Sequence, residues 1–153
     1  MAMRLLVADA DEHLLDQCEA YSSLQGIMLQ TARGGVECVA ALRLGPPDVL
    51  VLESELPWGG GDGVLTLMRE DDSLARVPVV LLDSDAGAGA DLGRFAANVV
   101  GRLVKPLDVA TIFDSASAAA DCGDLFPWRA SPQRSHLGRS ARDAAGRQDF
   151  AGC

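Results

Sequence analysis

The chain is 153 residues long, 48% hydrophobic and only 5% aromatic, and it carries a formal net charge of −9. This length suffices for one domain with an aliphatic core, a composition typical of α/β layers rather than of sandwiches built around aromatic side chains. The negative charge argues against binding to nucleic acid or to an anionic membrane surface, because both require a cationic face.

Predicted strands and helices alternate along residues 5–120. Strands are predicted at 5–8, 27–31, 49–52, 77–82 and 103–104, and helices at 13–24, 36–44, 64–72, 92–97 and 107–120. Joined by right-handed crossovers, these elements predict a doubly wound α/β fold, a five-stranded parallel sheet with helices on both faces. Asp11 is the predicted N-cap of the first helix, and the predicted inward side chains include Leu24, Val36 and Leu44.

The final segment differs in composition from the rest of the chain. Residues 1–120 contain 18 acidic residues against 8 Lys and Arg, whereas 121–153 contain 4 against 5. We therefore divide the chain into a folded domain at 1–121 and a disordered tail at 122–153. The alternative is that Leu125, Phe126 and Trp128 dock on the domain or on a partner.

Cysteine usage and hydropathy indicate a cytoplasmic protein. The four cysteines form no CxxC pair, and Cys18 and Cys38 fall on apolar helix faces, where a free thiol packs as a small hydrophobe. The apolar run at 5–8 is too short for a signal peptide, and no stretch approaches the length of a membrane span.

Charged side chains gather where the predicted strands end. In open α/β sheets the functional crevice lies beyond the carboxyl ends of the strands. The side chains expected there are Asp9, Asp11, Glu53, Asp83, Ser84 and Lys105, the last followed by Pro106. The sequence thus predicts an acidic pocket that contains one lysine.

Four segments, LLVADADEH, PDVLVLESELPWGGGDG, VPVVLLDS and LVKPLD, carry a resemblance to the receiver domain of bacterial two-component response regulators. The resemblance extends over residues 4–120 and implies a flavodoxin-like fold and a role in phosphorelay signalling. In that family an acidic pair follows the first strand, a phospho-accepting Asp ends the third, Thr or Ser ends the fourth, and Lys-Pro follows the fifth. It also implies a cis bond between Lys105 and Pro106.

The chain departs from this pattern at the positions that carry the chemistry. Ala10 replaces the second acid, Glu53 the phospho-acceptor, Asp83 the hydroxyl residue and Arg102 a Tyr or Phe, while Asp9, Lys105 and Pro106 are retained. The loop WGGGDG is also about two residues longer than usual, and we expect it to be a flexible cover on the crevice.

These departures argue against ordinary phosphorylation. The extra methylene of Glu53 moves the attacking oxygen by roughly 1 Å, a misplacement that costs about a hundredfold in rate. Ala10 removes an oxygen ligand of the metal, and Asp83 places an anion where the phosphoryl group would lie.

Two hypotheses for the altered site remain open. In the first, a standing ion pair between Glu53 and Lys105, shared with Asp83, fixes the domain as a protein-binding module. In the second, the site has fallen into disuse and Lys105 only neutralises the remaining acids. The expected partners are a histidine kinase, a phosphotransfer protein, an output protein or a second copy, the last by resemblance through the last helix and fifth strand.

Two further alternatives belong to other classes. Asp9 and Glu53, helped by Asp83 and Asp11, are candidate weak ligands for Mg²⁺ in a receiver that retains weak phospho-acceptance, although Lys105 competes for them. An enzyme on this fold has little support, because GxGxxG, P-loop and GxSxG motifs are missing from the sequence and neither His13 nor His136 belongs to a credible triad.

Overall fold

The computed structural model describes residues 2–84 and 97–123. The strands are β1 (Arg4–Ala8), β2 (Met28–Ala32), β3 (Val49–Glu53), β4 (Val79–Asp83) and β5 (Val99–Val104). The helices are α1 (Glu12–Gln25), α2 (Gly35–Leu44), α3 (Gly60–Glu70) and α4 (Val109–Gly123). The predicted helix at 92–97 and the tail beyond 123 lie outside the described residues, apart from Ala97.

All five strands are parallel, in the order β2-β1-β3-β4-β5. This order confirms the predicted doubly wound α/β fold. It reverses direction between β1 and β3, and in such sheets this switch point opens a crevice at the carboxyl ends of the strands. The strand ends that carry Asp9 and Glu53 are therefore neighbours by topology.

Each face of the sheet has its own aliphatic core, because successive strand residues point to opposite faces. Leu50 and Leu52 of β3 pack in the cluster that contains Met68 of α3. Val49 and Val51 of the same strand pack in the cluster that contains residues of α1 and α4. The sheet is thus covered on both sides, which explains why β3 and β4 lack polar interruptions.

The two described free cysteines are buried in these cores, one on each side. Burial raises the pKa of the Cys18 thiol to about 11 and that of Cys38 to about 12. Both thiols are therefore neutral at physiological pH and pack as small apolar groups, as predicted.

Local signals fix the ends of α1. The side chain of Asp11 accepts hydrogen bonds from the amides of His13 and Leu14, which confirms it as the N-cap. Gly26 ends the helix in the left-handed conformation with φ of 68°, which glycine adopts without a steric penalty.

Several sequence predictions about the helices were wrong. Leu24, Val36 and Leu44 were predicted to face inward but are 82%, 74% and 85% exposed. In α2 the buried positions are Gly35, Ala41 and Leu42, together with the predicted Cys38. The last helix extends to Gly123, so the first two residues of the predicted tail are helical. Within 2–84 and 97–123, no helix is both long and apolar enough to cross a membrane.

Candidate functional site at the carboxyl edge of the sheet

Backbone hydrogen bonds continue past the strand ends and align the residues that follow them. The amide of Asp9 donates to Ala32, that of Ser54 to Leu82 and that of Lys105 to Asp83, at 3.0, 2.9 and 2.8 Å. Consecutive strand ends are thereby held side by side. The predicted cluster of Asp9, Glu53, Asp83 and Lys105 consequently forms at one edge.

Lys105 lies between two carboxylates. Its Nζ is 2.6 Å from Oδ2 of Asp9 and 3.4 Å from Oε1 of Glu53. The Asp9 side chain is fully buried, that of Glu53 is 12% exposed and that of Lys105 is 21% exposed. The predicted pair between Glu53 and Lys105 is thus present, but the nearer and more deeply buried acid is Asp9. The bond between Lys105 and Pro106 is cis, as the resemblance implied.

The carboxylates around Lys105 outweigh the effect of its partial burial. Burial acts to lower the pKa of the Lys105 ammonium group, whereas the neighbouring Asp9 and, next, Glu53 raise it, and the net result is a raised pKa. In the described residues the partner of Oδ2 of Asp9 is Nζ of Lys105, at 2.6 Å. The ammonium group is therefore held in its charged form.

The remaining oxygens of the two acids contact backbone amides of the loop after β1. Oε2 of Glu53 accepts from the amide of Ala10 at 3.1 Å. Oδ1 of Asp9 accepts from the amide of Asp11 at 2.8 Å. The glutamate thus reaches from the end of β3 to the neighbouring loop, and both of its carboxylate oxygens have partners.

Asp83 belongs to a second ion pair, and its predicted sharing of Lys105 is wrong. Its fully buried carboxylate accepts from Nε of Arg102 at 3.0 Å and also from Nη2. Its other oxygen accepts from the hydroxyl of Ser54 at 2.6 Å. Sequence reasoning missed Ser54, although a hydroxyl residue directly after Glu53 was a visible signal.

Asp11 was predicted to belong to the acidic pocket, but its carboxylate lies elsewhere. The side chain is exposed and is used by the two amides of the first turn of α1. Only its backbone amide contributes to the pocket, through Asp9.

The loop after β3, predicted to be a flexible cover on the crevice, packs against the loop after β2. The amide of Gly35 donates to the carbonyl of Pro57 at 2.8 Å. A methyl group at Gly35 would lie 2.3 Å from the Trp58 carbonyl oxygen, so only glycine permits this approach. Trp58 has a φ of 58° and is 77% exposed.

The helix α3 begins inside this glycine run, four residues before its predicted start. A methyl group at Gly61 would lie 2.8 Å from the carbonyl oxygen and 3.0 Å from the Cα of Ser54. Glycine therefore lets the first turn of α3 approach the backbone that carries Glu53.

The residues present do not fit a tight Mg²⁺ site. Mg²⁺ requires six oxygen ligands in near-octahedral geometry. Among the described residues, no group of three or more His, Cys, Asp or Glu side chains could hold a metal ion. Asp9 and Glu53 face the ammonium of Lys105, and Asp83 is occupied by Arg102 and Ser54.

No family model matches the chain. It is 30% identical over 109 residues to the transcriptional regulatory protein PrrA of Mycobacterium tuberculosis, an alignment that covers 71% of this chain and 46% of PrrA. The chain thus spans about half the length of this relative.

Solved structures share the fold. The chemotaxis response regulator CheY4 of Vibrio cholerae superposes with a TM-score of 0.70 at 18% identity, covering 78% of this chain and 99% of that one. The receiver domain of the sensor histidine kinase PA1611 from Pseudomonas aeruginosa, with magnesium in its active-site cleft, superposes with a TM-score of 0.69 at 18% identity. The match covers 79% of this chain and 99% of that one. With the strand order and the Asp9, Lys105 and Pro106 positions, these similarities identify the chain as a member of the response-regulator receiver domain family of two-component signalling.

Proposed function

We propose that this receiver domain acts in the cytoplasm as a protein-binding module whose crevice is held in one charge state by its own side chains. One observation carries the proposal: the ammonium of Lys105 lies between the carboxylates of Asp9 and Glu53. A phosphorylated receiver would use this lysine to hold an anionic phosphoryl group. Here the glutamate supplies the anion permanently.

The charges at this edge oppose an incoming phosphoryl group. Three carboxylates, those of Asp9, Glu53 and Asp83, face the two cations Lys105 and Arg102. The formal charge of this set is already negative, and both cations have partners. Phosphoryl transfer depends on cations that stabilise the transferred oxygens, so its rate at this site should be low.

Phosphorylation by a small-molecule donor tests the proposal. Wild-type protein and the variant E53Q are incubated with acetyl phosphate and Mg²⁺, and their intact masses are compared. We expect no phosphoryl adduct on either protein. An adduct that forms on wild-type protein, maps to Glu53 and is missing from E53Q would contradict the fixed-state proposal.

A partner-binding comparison separates a fixed state from disuse. If the pair between Glu53 and Lys105 maintains the binding state, E53Q should bind its protein partner more weakly than wild type. If the site is disused, the two proteins should bind equally. Capture experiments with histidine kinases and phosphotransfer proteins of the source organism, with residues 124–153 present and absent, would provide the measurement.

One observation favours the metal-binding alternative. Oδ2 of Asp9 is buried, and in the described part of the chain it contacts no donor besides Lys105. The ammonium of Lys105 at 2.6 Å already balances this oxygen, however, so a cation would have to displace it. We therefore propose that Mg²⁺ binds weakly and does not determine the state of the domain.

Tryptophan fluorescence tests metal binding, because Trp58 lies in the loop that follows Glu53. The chain contains a second tryptophan, Trp128, so the titration with Mg²⁺ uses the variant W128F. We expect the fluorescence not to saturate below millimolar Mg²⁺. Saturation in the micromolar range that is lost in D9N would support the metal site instead.

A further inference from the structure

Arg102 is the residue at this edge whose role the family resemblance does not supply. It occupies a position where the family usually has an aromatic side chain, and it is about one third exposed. Its guanidinium group nevertheless points at Asp83, which is completely buried. Burial of an unpaired carboxylate is strongly unfavourable, so the guanidinium group is the main compensation for the charge of Asp83.

The strand register explains how Arg102 reaches Asp83. Asp83 of β4 lies opposite Val104 of β5, and Arg102 lies opposite Leu81. Residues two apart on a strand share a face, so Arg102 is the diagonal neighbour of Asp83. An irregularity between Val79 and Val80 shifts the register and sets this alignment.

Among residues 2–84 and 97–123, Lys105 is the second cation close to Asp83. Its backbone amide donates to the carbonyl of Asp83 at 2.8 Å, so its side chain originates beside that residue. The Lys105 side chain is nevertheless directed to Asp9 and Glu53. The second oxygen of Asp83 accepts from the neutral hydroxyl of Ser54. Within the described residues, the neutralisation of Asp83 therefore falls to Arg102.

We infer that Arg102 is a positioning residue that neutralises Asp83 and thereby leaves Lys105 to Asp9 and Glu53. This inference deepens the proposed function, because it explains how the pair between Glu53 and Lys105 persists beside a third carboxylate. The buried charge of Asp83 is the reason why Lys105 would move if the guanidinium group were removed.

Crystal structures of two variants test the inference. In R102Q the charge is lost while a hydrogen-bond donor is kept, and we expect Nζ of Lys105 within ion-pair distance of Asp83 and no longer in contact with Glu53. In R102Q/D83N the buried charge is also removed, and we expect Lys105 to return to Asp9 and Glu53. An unchanged lysine in R102Q would overturn the positioning role, even if that variant were less stable.

A conservative variant keeps the test decisive if R102Q does not fold. R102K retains the positive charge without the planar guanidinium group, so we expect Lys105 to remain with Asp9 and Glu53. Movement of Lys105 to Asp83 in R102K would contradict the electrostatic basis of the inference. The wild-type crystal structure separates the two proposals, because a lysine far from Glu53 in wild type would refute the proposed function itself.

Discussion

Nζ of Lys105 lies 2.6 Å from Oδ2 of Asp9 but 3.4 Å from Oε1 of Glu53. Asp9 is also the completely buried member of this group, whereas Glu53 retains some exposure. Asp9 therefore anchors the lysine, and Glu53 is the second, more accessible partner.

This asymmetry predicts different costs for removing the two charges. D9N should lower the free energy of unfolding by about 3 kcal/mol, the scale for breaking a buried ion pair. E53Q should cost about 1 kcal/mol, since the contact is longer and partly solvated. Urea unfolding followed by circular dichroism would measure both, and a larger loss in E53Q would contradict the assigned order.

The lysine also predicts a dependence of stability on alkaline pH. Its pKa in the folded protein is raised above the ordinary value of 10.5. The pair therefore stabilises the fold fully below that pH, and its contribution is lost as the pH rises through the raised pKa. Urea unfolding of wild type and D9N between pH 9 and 12 checks this.

The variant D9N serves as the control for the pH experiment. Without the charge of Asp9, burial of the ammonium counts for more, and the pKa of Lys105 should fall relative to wild type. The stability difference between wild type and D9N should therefore shrink at the alkaline end. A difference that stays constant to pH 12 would mean that the pair makes no such contribution.

Two glycines of α3 offer a matched pair of substitutions. G61A would place a methyl group 2.8 Å from the carbonyl oxygen of Ser54, so we expect a loss of about 2 kcal/mol from overpacking against backbone. Around Gly63 nothing lies within 4 Å of the added methyl group. G63A should therefore be neutral or stabilising by up to about 1 kcal/mol.

Thermal unfolding would give the ranking of the two glycine variants. A spectroscopic check on Glu53 adds information, because the methyl group in G61A would also lie 3.1 Å from the carbonyl oxygen of Glu53. We expect the backbone amide NMR signals of Glu53 and Ser54 to shift in G61A and not in G63A. Equal stability of the two variants would show that the close approach does not exist.

Asp11 provides a test of its reassignment from the pocket to the helix cap. D11A should destabilise the domain by about 1 kcal/mol, the usual cost of losing an N-cap. The NMR signals of Lys105 and Glu53 should keep their positions, because the contacts of these residues do not involve the Asp11 side chain. A large shift of the Lys105 signals in D11A would show that the Asp11 side chain belongs to the acidic pocket after all.

The sequence predicted the sheet because its determinants are local. Short aliphatic runs bounded by capping residues and glycines identify parallel strands without knowledge of their partners. The start of α3 was not predicted, because glycine is a poor helix former and the glycines are required by the approach to Ser54. The first four of the six residues of β5 were missed for a similar reason, since Gly101 and Arg102 interrupt its apolar pattern.

The sequence predicted which residues form the site but not how their charges pair. Topology alone gathers Asp9, Glu53 and Lys105, because parallel strands end at one edge. The division of cations among the carboxylates was not predictable from topology, since it depends on a register shift between β4 and β5 and on which oxygens the hydroxyl of Ser54 reaches. Asp83 was consequently assigned to the wrong cation.

Trp58 packs on Gly34 and Gly35, and this contact joins the loop after β3 to the loop after β2. Methyl groups at those glycines would lie 2.8 Å from Cδ1 and 2.3 Å from the carbonyl oxygen of the tryptophan, respectively. The longer loop after β3 therefore fits because the residues after β2 are glycines, which leave space for Trp58. Relatives that shorten one loop would be free to regain side chains in the other, so the two segments should vary together across the family.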